Sequence, residues 1–322
     1  MIKRQHQLLA GVLIVQLVLS AVVFWPRPLT AAQGEPLFGD LEAGDITVLT
    51  LEDGAGSVTR LEQVGGQWVV PEADNYPATM DEVVSFLDKL LAVRTDRLVT
   101  RGEASHRRLR VSPDEFARRI SFQTDEGEEQ TVYLGTAPQF GSVHFRLAGE
   151  SETYLTSELA THDAAATVSA WVDLTYQRLE PEDVHRFTLE NESGTFVFER
   201  IGEDGWMLAD LNEDETLDLG AVRGVLRRAG SVTMRSPLGR EDQPHYGMDA
   251  PAARVTLELD EKTVTLLVGA RDAEDGSYVV KSSESEYYVS VAETGVRELV
   301  ETAREDLLEE PPDAAEESDG SS

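Results

Sequence analysis

The order of features from about Asp45 to Tyr176 returns, at similar spacing, from Val184 to Leu308, and a chain that repeats itself in this way is constrained to build one architecture twice. The first copy opens on the apolar run Ile46, Val48, Leu51 and reaches Gly66, Gln67, Trp68; the second opens on Phe187 and Leu189 and reaches Asp204, Gly205, Trp206. An apolar pair follows each tryptophan, Val69 with Val70 and Met207 with Leu208. After a polar loop, Met80, Val83, Val84, Leu87, Leu90 and Leu91 fall at helical spacing behind Thr79, and Leu219, Val222, Val225, Leu226 and Ala229 do so behind Asp218. Thr79 with Glu82 reads as a capping box. Each copy then offers two pairs of strands, passing Leu134, Gly135 or Val268, Gly269, and a closing helix, near residues 164–173 and 293–308. Strands dominate, helices cover them, and no strand-helix-strand alternation demands a parallel sheet. The expected class is α+β, with two tandem copies of an antiparallel-sheet-plus-helix unit over residues 45–180 and 181–308.

The N-terminus places that body. Lys3, Arg4 and His6 precede an apolar run over residues 8–25, interrupted only by Gln16 and Ser20. At 1.5 Å per residue such a helix spans ~27 Å, close to a hydrocarbon core. It ends in Trp25, Pro26, Arg27, residues suited to a membrane interface. Residues 1–27 therefore read as a cytoplasmic stub and a single-pass anchor in the cytoplasmic membrane, with the bulk of the chain extracytoplasmic or periplasmic. Cleavage after Ala32, with Thr30 before it, is the competing reading. Residues 28–44 read as a linker, and residues 309–322, with Pro311, Pro312 and a run of acids, as a disordered acidic tail.

Composition narrows the functions. Sixty acidic against 28 basic residues leave a net charge of −32, which repels phosphate backbones and disfavours nucleic acid as a partner. With no cysteine, disulfides and thiolate metal sites are excluded. Only four basic residues are lysines, a pattern that suits high salt. H-E-x-x-H, G-x-S-x-G and Walker motifs are absent, so a transport motor is not expected and a hydrolase is the least favoured of three function classes.

At the second connector, His245, Tyr246, Gly247, Met248, Asp249, Ala250, Pro251 resembles the Tyr-Gly-Leu-Asp-x-Pro element of the bacterial domain-of-unknown-function family 4340. The Gly-x-Trp-type motif at Trp206, echoed at Trp68, agrees with that family. So does the junction running from Trp171, Val172, Asp173, Leu174 through Pro181, Glu182, Asp183, Val184 to Phe187, Thr188, Leu189. The resemblance spans roughly residues 45–305. It implies an extracytoplasmic companion of an ABC-type transport system of the gliding-motility kind, with protein partners from that system and no established activity or cofactor. Physically, Gly247 suits a positive φ and Pro251 sets the entry to the next strand. The first connector, residues 106–113, keeps the proline and lacks the glycine.

Three local features compete for function. Eight arginines (Arg94, Arg97, Arg101, Arg107, Arg108, Arg110, Arg118, Arg119) face four acids over residues 94–119. They are read either as a surface for an acidic partner or anionic lipid headgroups, or as internal pairs with the acidic second copy. Residues 210–218 alternate oxygen side chains like a calcium loop, which makes a calcium-assisted envelope-binding or adhesion module the alternative function. Yet Glu215 stands where that loop needs glycine and Ala221 where it needs a bidentate glutamate. His106 and His245 hold matching places in the two connectors, either as polar turn residues or as a symmetric metal or proton-transfer site. No metal ligand, catalytic residue or cofactor is assigned, and a non-enzymatic accessory or binding subunit is the leading expectation.

Overall fold

The computed structural model describes residues 34–202 and 205–309. The apolar run at 8–25, the cleavage point at Ala32, Asp204 and the tail beyond Glu309 lie outside the described residues. Among the described residues no helix is long and apolar enough to cross a membrane.

The chain builds two large antiparallel sheets in sequence, with helices packed on them, so the class is α+β. In the first half, β1 (Ile46–Asp53), β2 (Val58–Val64), β3 (Gln67–Val70) and β4 (Tyr76–Pro77) precede helix α1 (Met80–Leu91). Then come β5 (Leu98–Thr100), the short helix α2 (His106–Leu109), β6 (Arg118–Thr124), β7 (Glu129–Leu134), β8 (Val143–Leu147) and β9 (Thr153–Thr156). Across the sheet the order is β4-β3-β2-β1-β6-β7-β8-β9-β5. β10 (Thr175–Arg178) leads to the second half: β11 (Val184–Asn191), β12 (Gly194–Ile201), β13 (Gly205–Leu208), helix α3 (Leu219–Gly230), β14 (Ser231–Thr233) and β15 (Ser236–Gly239). β16 (Ala253–Leu259), β17 (Thr263–Arg271), β18 (Tyr278–Ser282), β19 (Tyr288–Val291) and helix α4 (Glu293–Glu301) complete it. The order of this sheet is β13-β12-β11-β16-β17-β18-β19-β15, that of the first sheet without β4.

Agreement extends below the strand order. β1 and β11 are each eight residues long, and each slips register once, just after its first residue, against β6 and β16. Inward alternation puts Leu49 and Leu51, or Phe187 and Leu189, wholly in the core. Trp68 and Trp206 are buried on the strand after the first hairpin, Trp206 edge-on to Phe187 with ring centroids 5.0 Å apart. From α1, Val83, Phe86, Leu87 and Leu90 cover the first sheet; from α3, Val222, Val225, Leu226 and Ala229 cover the second. Each fully buried Leu, Val or Phe contributes about 1.5–3 kcal/mol.

Several expectations are corrected. Thr79 is the N-cap of α1, but its side chain makes no capping bond; its backbone N–H donates to Trp171 O at 2.7 Å, which ties the helix start to the end of the first half. Asp218 does cap α3, accepting from the N–H groups of Gly220 (2.7 Å) and Ala221 (3.1 Å). The helix expected over 164–173 is a single 3-10 turn, Val168–Ala170. Thr167, Val168 and Val172 are β-branched and disfavour a helix there, while Trp171 is pinned by its Nε1–H to Ala165 O (2.8 Å) and by an edge contact with Phe86. The second half closes on α4 followed by a separate 3-10 turn, Arg304–Leu307. Of the stretch expected as a linker, residues 34–44 lie against the first sheet: Leu37 N–H donates to Val93 O (2.9 Å), and Phe38 meets Phe122 edge-on at 5.1 Å.

The halves meet through a built contact. β10 from the first half pairs with β14 from the second. The Tyr176 hydroxyl donates to Tyr287 O (2.7 Å) and accepts from Ser282 N–H (2.9 Å), and burial raises its pKa. Between β3 and α1 the chain turns through Asp74 and Asn75, both at positive φ (53° and 61°). Asp74 Oδ2 accepts from the backbone N–H of Arg240 at 2.6 Å, and Tyr76 packs edge-on to Tyr287 at 4.7 Å.

Candidate functional site

The two connectors shape one end of each sheet. In the second, Tyr246 is buried, stands 5.3 Å from the Tyr288 ring, and donates its hydroxyl to Leu238 O (3.3 Å). Gly247 takes φ 70°, the left-handed turn expected of it, while Asp249 is exposed and Pro251 half-buried before β16. The first connector makes the same turn with Arg110 at φ 56°, ψ 47°. Arginine sends no signal for that conformation, so the sequence conceals the likeness. Its guanidinium helps hold the turn by donating to Phe116 O at 3.1 Å. Against both turns lies a glycine: a Cβ on Gly135 would sit 2.0 Å from Leu109 O, and one on Gly269 2.1 Å from Tyr246 O. Leu109 and Tyr246 therefore play one role, as do Arg110 and Gly247.

Sequence reasoning also missed a cation on the strand beside each connector, buried in the first and half-buried in the second. Arg146 on β8 is 5% exposed, lies over the Tyr133 ring, and donates to the carbonyls of Val111 (2.7 Å), Leu147 (3.2 Å) and Glu150 (2.9 Å). Lys281 on β18 lies over the Tyr288 ring and donates to the carbonyls of Ser282 and Ser285. Desolvation lowers both pKa values. Both cations gather the carbonyls of a hairpin turn, an arrangement two different residue types conceal from any motif search.

Residues 68–223 match the family model described as Domain of unknown function (DUF4340). Over that stretch the chain is similar to the DUF4340 family. No curated protein and no solved structure matches the chain. The DUF4340 stretch runs from Trp68 in β3 to Arg223 in α3, and so takes in the first connector, the junction between halves and Trp206. Tyr246, Gly247, Asp249 and Pro251 lie beyond the matched residues.

The arginines of residues 94–119 take separate partners. Arg94 is half-buried, and Arg97 donates to Ser157 Oγ at 3.4 Å. Arg101 pairs with Glu152 (3.4 Å), Arg107 with Glu115 (3.9 Å) and Arg119 with Glu52; Arg118 donates to Ala164 O at 2.8 Å. Arg108 is exposed. The partners given by the described residues belong to the first half. Exposed pairs of this kind are worth about 0–1 kcal/mol each, and Arg97, Arg101, Arg107 and Arg108 stay at the surface.

The acidic loop over 210–218 is organised around a guanidinium. Arg304 donates to Asp210 Oδ2 (3.0 Å), Asp210 O (2.8 Å) and both oxygens of Glu215 (3.1 and 2.5 Å). Arg304, followed by the Asn212 N–H, holds the Glu215 carboxyl down at about 2. The arginine thus stands where a calcium ion would draw the same oxygens together. Among the described residues no three His, Asp or Glu side chains are grouped for a metal.

The histidines are not symmetric. His106 is buried, with Nε2 2.9 Å from Ser151 O, whereas His245 is exposed and edge-on to Tyr246. Their places relative to Leu109 and Tyr246 also differ, three residues before in one case and one in the other. His144 Nδ1 lies 2.7 Å from Thr136 O. Clefts exist but are shallow: a groove of about 450 Å³ between α3 and α4, lined in part by Gly220, Gly224, Arg297 and Glu301, and a smaller one of about 220 Å³ beside Trp206, Arg200 and Arg227.

Proposed function

We propose that this chain is a non-enzymatic binding subunit, tethered by one membrane span and working outside the cytoplasm beside an ABC-type transport system, with two tandem copies of one sheet-and-helix unit as its body. The observation that carries the reading is the common strand order of the two sheets, joined by equivalent connectors and a built junction. Such a body is spent on extended surface: Arg146, Lys281 and His106 are turned on backbone carbonyls, and its acidic loop on Arg304. The apolar run at residues 8–25 behind Lys3 and Arg4 supports the tether and its orientation. The transport association draws on the family resemblance. One span cannot line a translocation path, so motor and channel belong to partners.

Affinity capture of the tagged full chain from membranes solubilised in a mild detergent tests this. An ATPase and a multi-span permease are expected in stoichiometric amounts; recovery of the chain by itself under conditions that preserve other membrane complexes would refute the role.

A further inference from the structure

Among the described residues, one sheet edge is covered in the second half and open over Leu98–Thr100 in the first, where the segment 34–36 runs only beside residues 94–96. β15 is the last strand of its sheet, and its outer side receives the Asp74–Asn75 turn of the first half: Asp74 Oδ2 bonds the Arg240 N–H, and a Cβ on Gly239 would sit 2.6 Å from that oxygen. β5 is the last strand of the first sheet. The registers make the two edges equivalent. Phe145 pairs with Tyr154 and Tyr154 with Leu98, as Val280 pairs with Val289 and Val289 with Pro237; two positions on, Thr100 corresponds to Gly239 and Arg101 to Arg240. At β5 nothing corresponds to Asp74 among the described residues. Leu98 and Val99 are 38% and 45% exposed, flanked by the exposed Arg97 and Arg101.

The matching turn is found at the opposite end of the chain. Asp74 belongs to the turn between β3 and α1, and the corresponding turn between β13 and α3 carries Glu213 and Asp214, both exposed. That turn is pre-formed, since Glu215 accepts from Asn212 N–H (3.0 Å) while Arg304 holds Glu215 from the other side. An acidic turn stands at one end and an arginine-flanked open edge at the other. In the contact between the halves the acidic turn bonds the backbone N–H of Arg240, whose guanidinium is held beside it by Tyr287 and Glu286.

We propose that the open β5 edge is the docking site for a second copy of this chain, which places its Glu213–Asp214 turn against Arg97 and Arg101 as Asp74 lies against Arg240. The inference rests on the two-unit reading of the body. Because the two surfaces differ, the contact is head-to-tail and propagates into rows rather than closing a two-fold dimer. Glu152 stands where the second half has Tyr287, so the intermolecular contact lacks the aromatic packing of the internal one and is more electrostatic, weakened by salt.

The absence of cysteine makes a clean test possible. Full-length Thr100→Cys and Glu213→Cys chains are mixed in detergent at low ionic strength and treated with a short bis-maleimide. A crosslinked heterodimer is expected at least tenfold above either variant treated separately, lost when Arg101→Glu is added to the first chain and regained when Asp214→Arg is added to the second. A mixture no more crosslinked than the single variants, or crosslinking indifferent to Arg101→Glu, would overturn the proposal. An Asp74→Cys, Arg240→Cys chain serves as reference: its failure to crosslink within one molecule would instead overturn the internal contact on which the two-unit reading rests.

Discussion

A Cβ added at Gly269 would meet the Tyr246 carbonyl oxygen at 2.1 Å, and one added at Gly135 the Leu109 oxygen at 2.0 Å. Backbone cannot yield as a side-chain tip does, so Gly135→Ala and Gly269→Ala are each expected to cost about 2–3 kcal/mol through overpacking. Gly127 separates this clash from simple backbone strain. It takes φ 85° with nothing within 4 Å of its Cβ direction, so Gly127→Ala carries only the left-handed penalty of about 1 kcal/mol. Urea midpoints of the three variants give the ranking. Replacing the buried Arg146 by Met leaves bonded carbonyls without donors and is expected to cost about 2–3 kcal/mol on the same measurement, with Lys281→Met at the half-buried site costing about 1 kcal/mol. Arg110 and Gly247 show where residue-level reading stops: they share a backbone conformation, but only glycine advertises it.

At the scale of elements, the turn between β13 and α3 is fixed by charge. The Glu215 carboxyl is depressed from 4.5 to about 2, so its contribution to stability is complete above about 4.5 and is lost as pH falls toward 2. Glu215→Gln should therefore unfold with a flatter pH dependence between 4.5 and 2 than the parent chain, as followed by circular dichroism. Because Arg304 already draws Asp210 and Glu215 together, millimolar calcium is expected to leave the thermal midpoint unchanged; a rise of several degrees would restore the calcium reading.

Long elements with a strong period were legible in the sequence: α1 and α3 from their apolar stripes, and β6, β7, β16 and β17 from alternation between turns. β5 and β15 were not. Each has only three or four residues, β15 contains Pro237 and Gly239, and their pairing with β9 and β19 is a tertiary fact without a local pattern. The helix expected over 164–173 failed because the apolar content there serves one docked tryptophan, Trp171, rather than a stripe. The candidate surface was half legible. Arginine excess pointed to residues 94–119, but which arginines stay exposed depends on partners such as Glu52 and Ala164 O that lie far away in sequence.

At the scale of the whole molecule, two sheets of common strand order are joined in one body, and the proposed role would have it held on the outer side of the membrane. The junction of Asp74, Tyr76, Tyr176, Arg240 and Tyr287 joins the halves, and one continuous cluster takes in buried apolar residues of both sheets, with Leu109, Val111, Phe116 and Tyr133 grouped apart from it. A single cooperative unfolding transition is therefore expected, and Asp74→Ala with Tyr176→Phe should separate it into two in scanning calorimetry. The outward placement is tested most directly by one cysteine. Phe140, at the tip between β7 and β8, is fully exposed, and the chain has no cysteine of its own. In intact cells, the Phe140→Cys chain should react with a charged maleimide that does not cross the cytoplasmic membrane; labelling only after that membrane is broken would contradict the account.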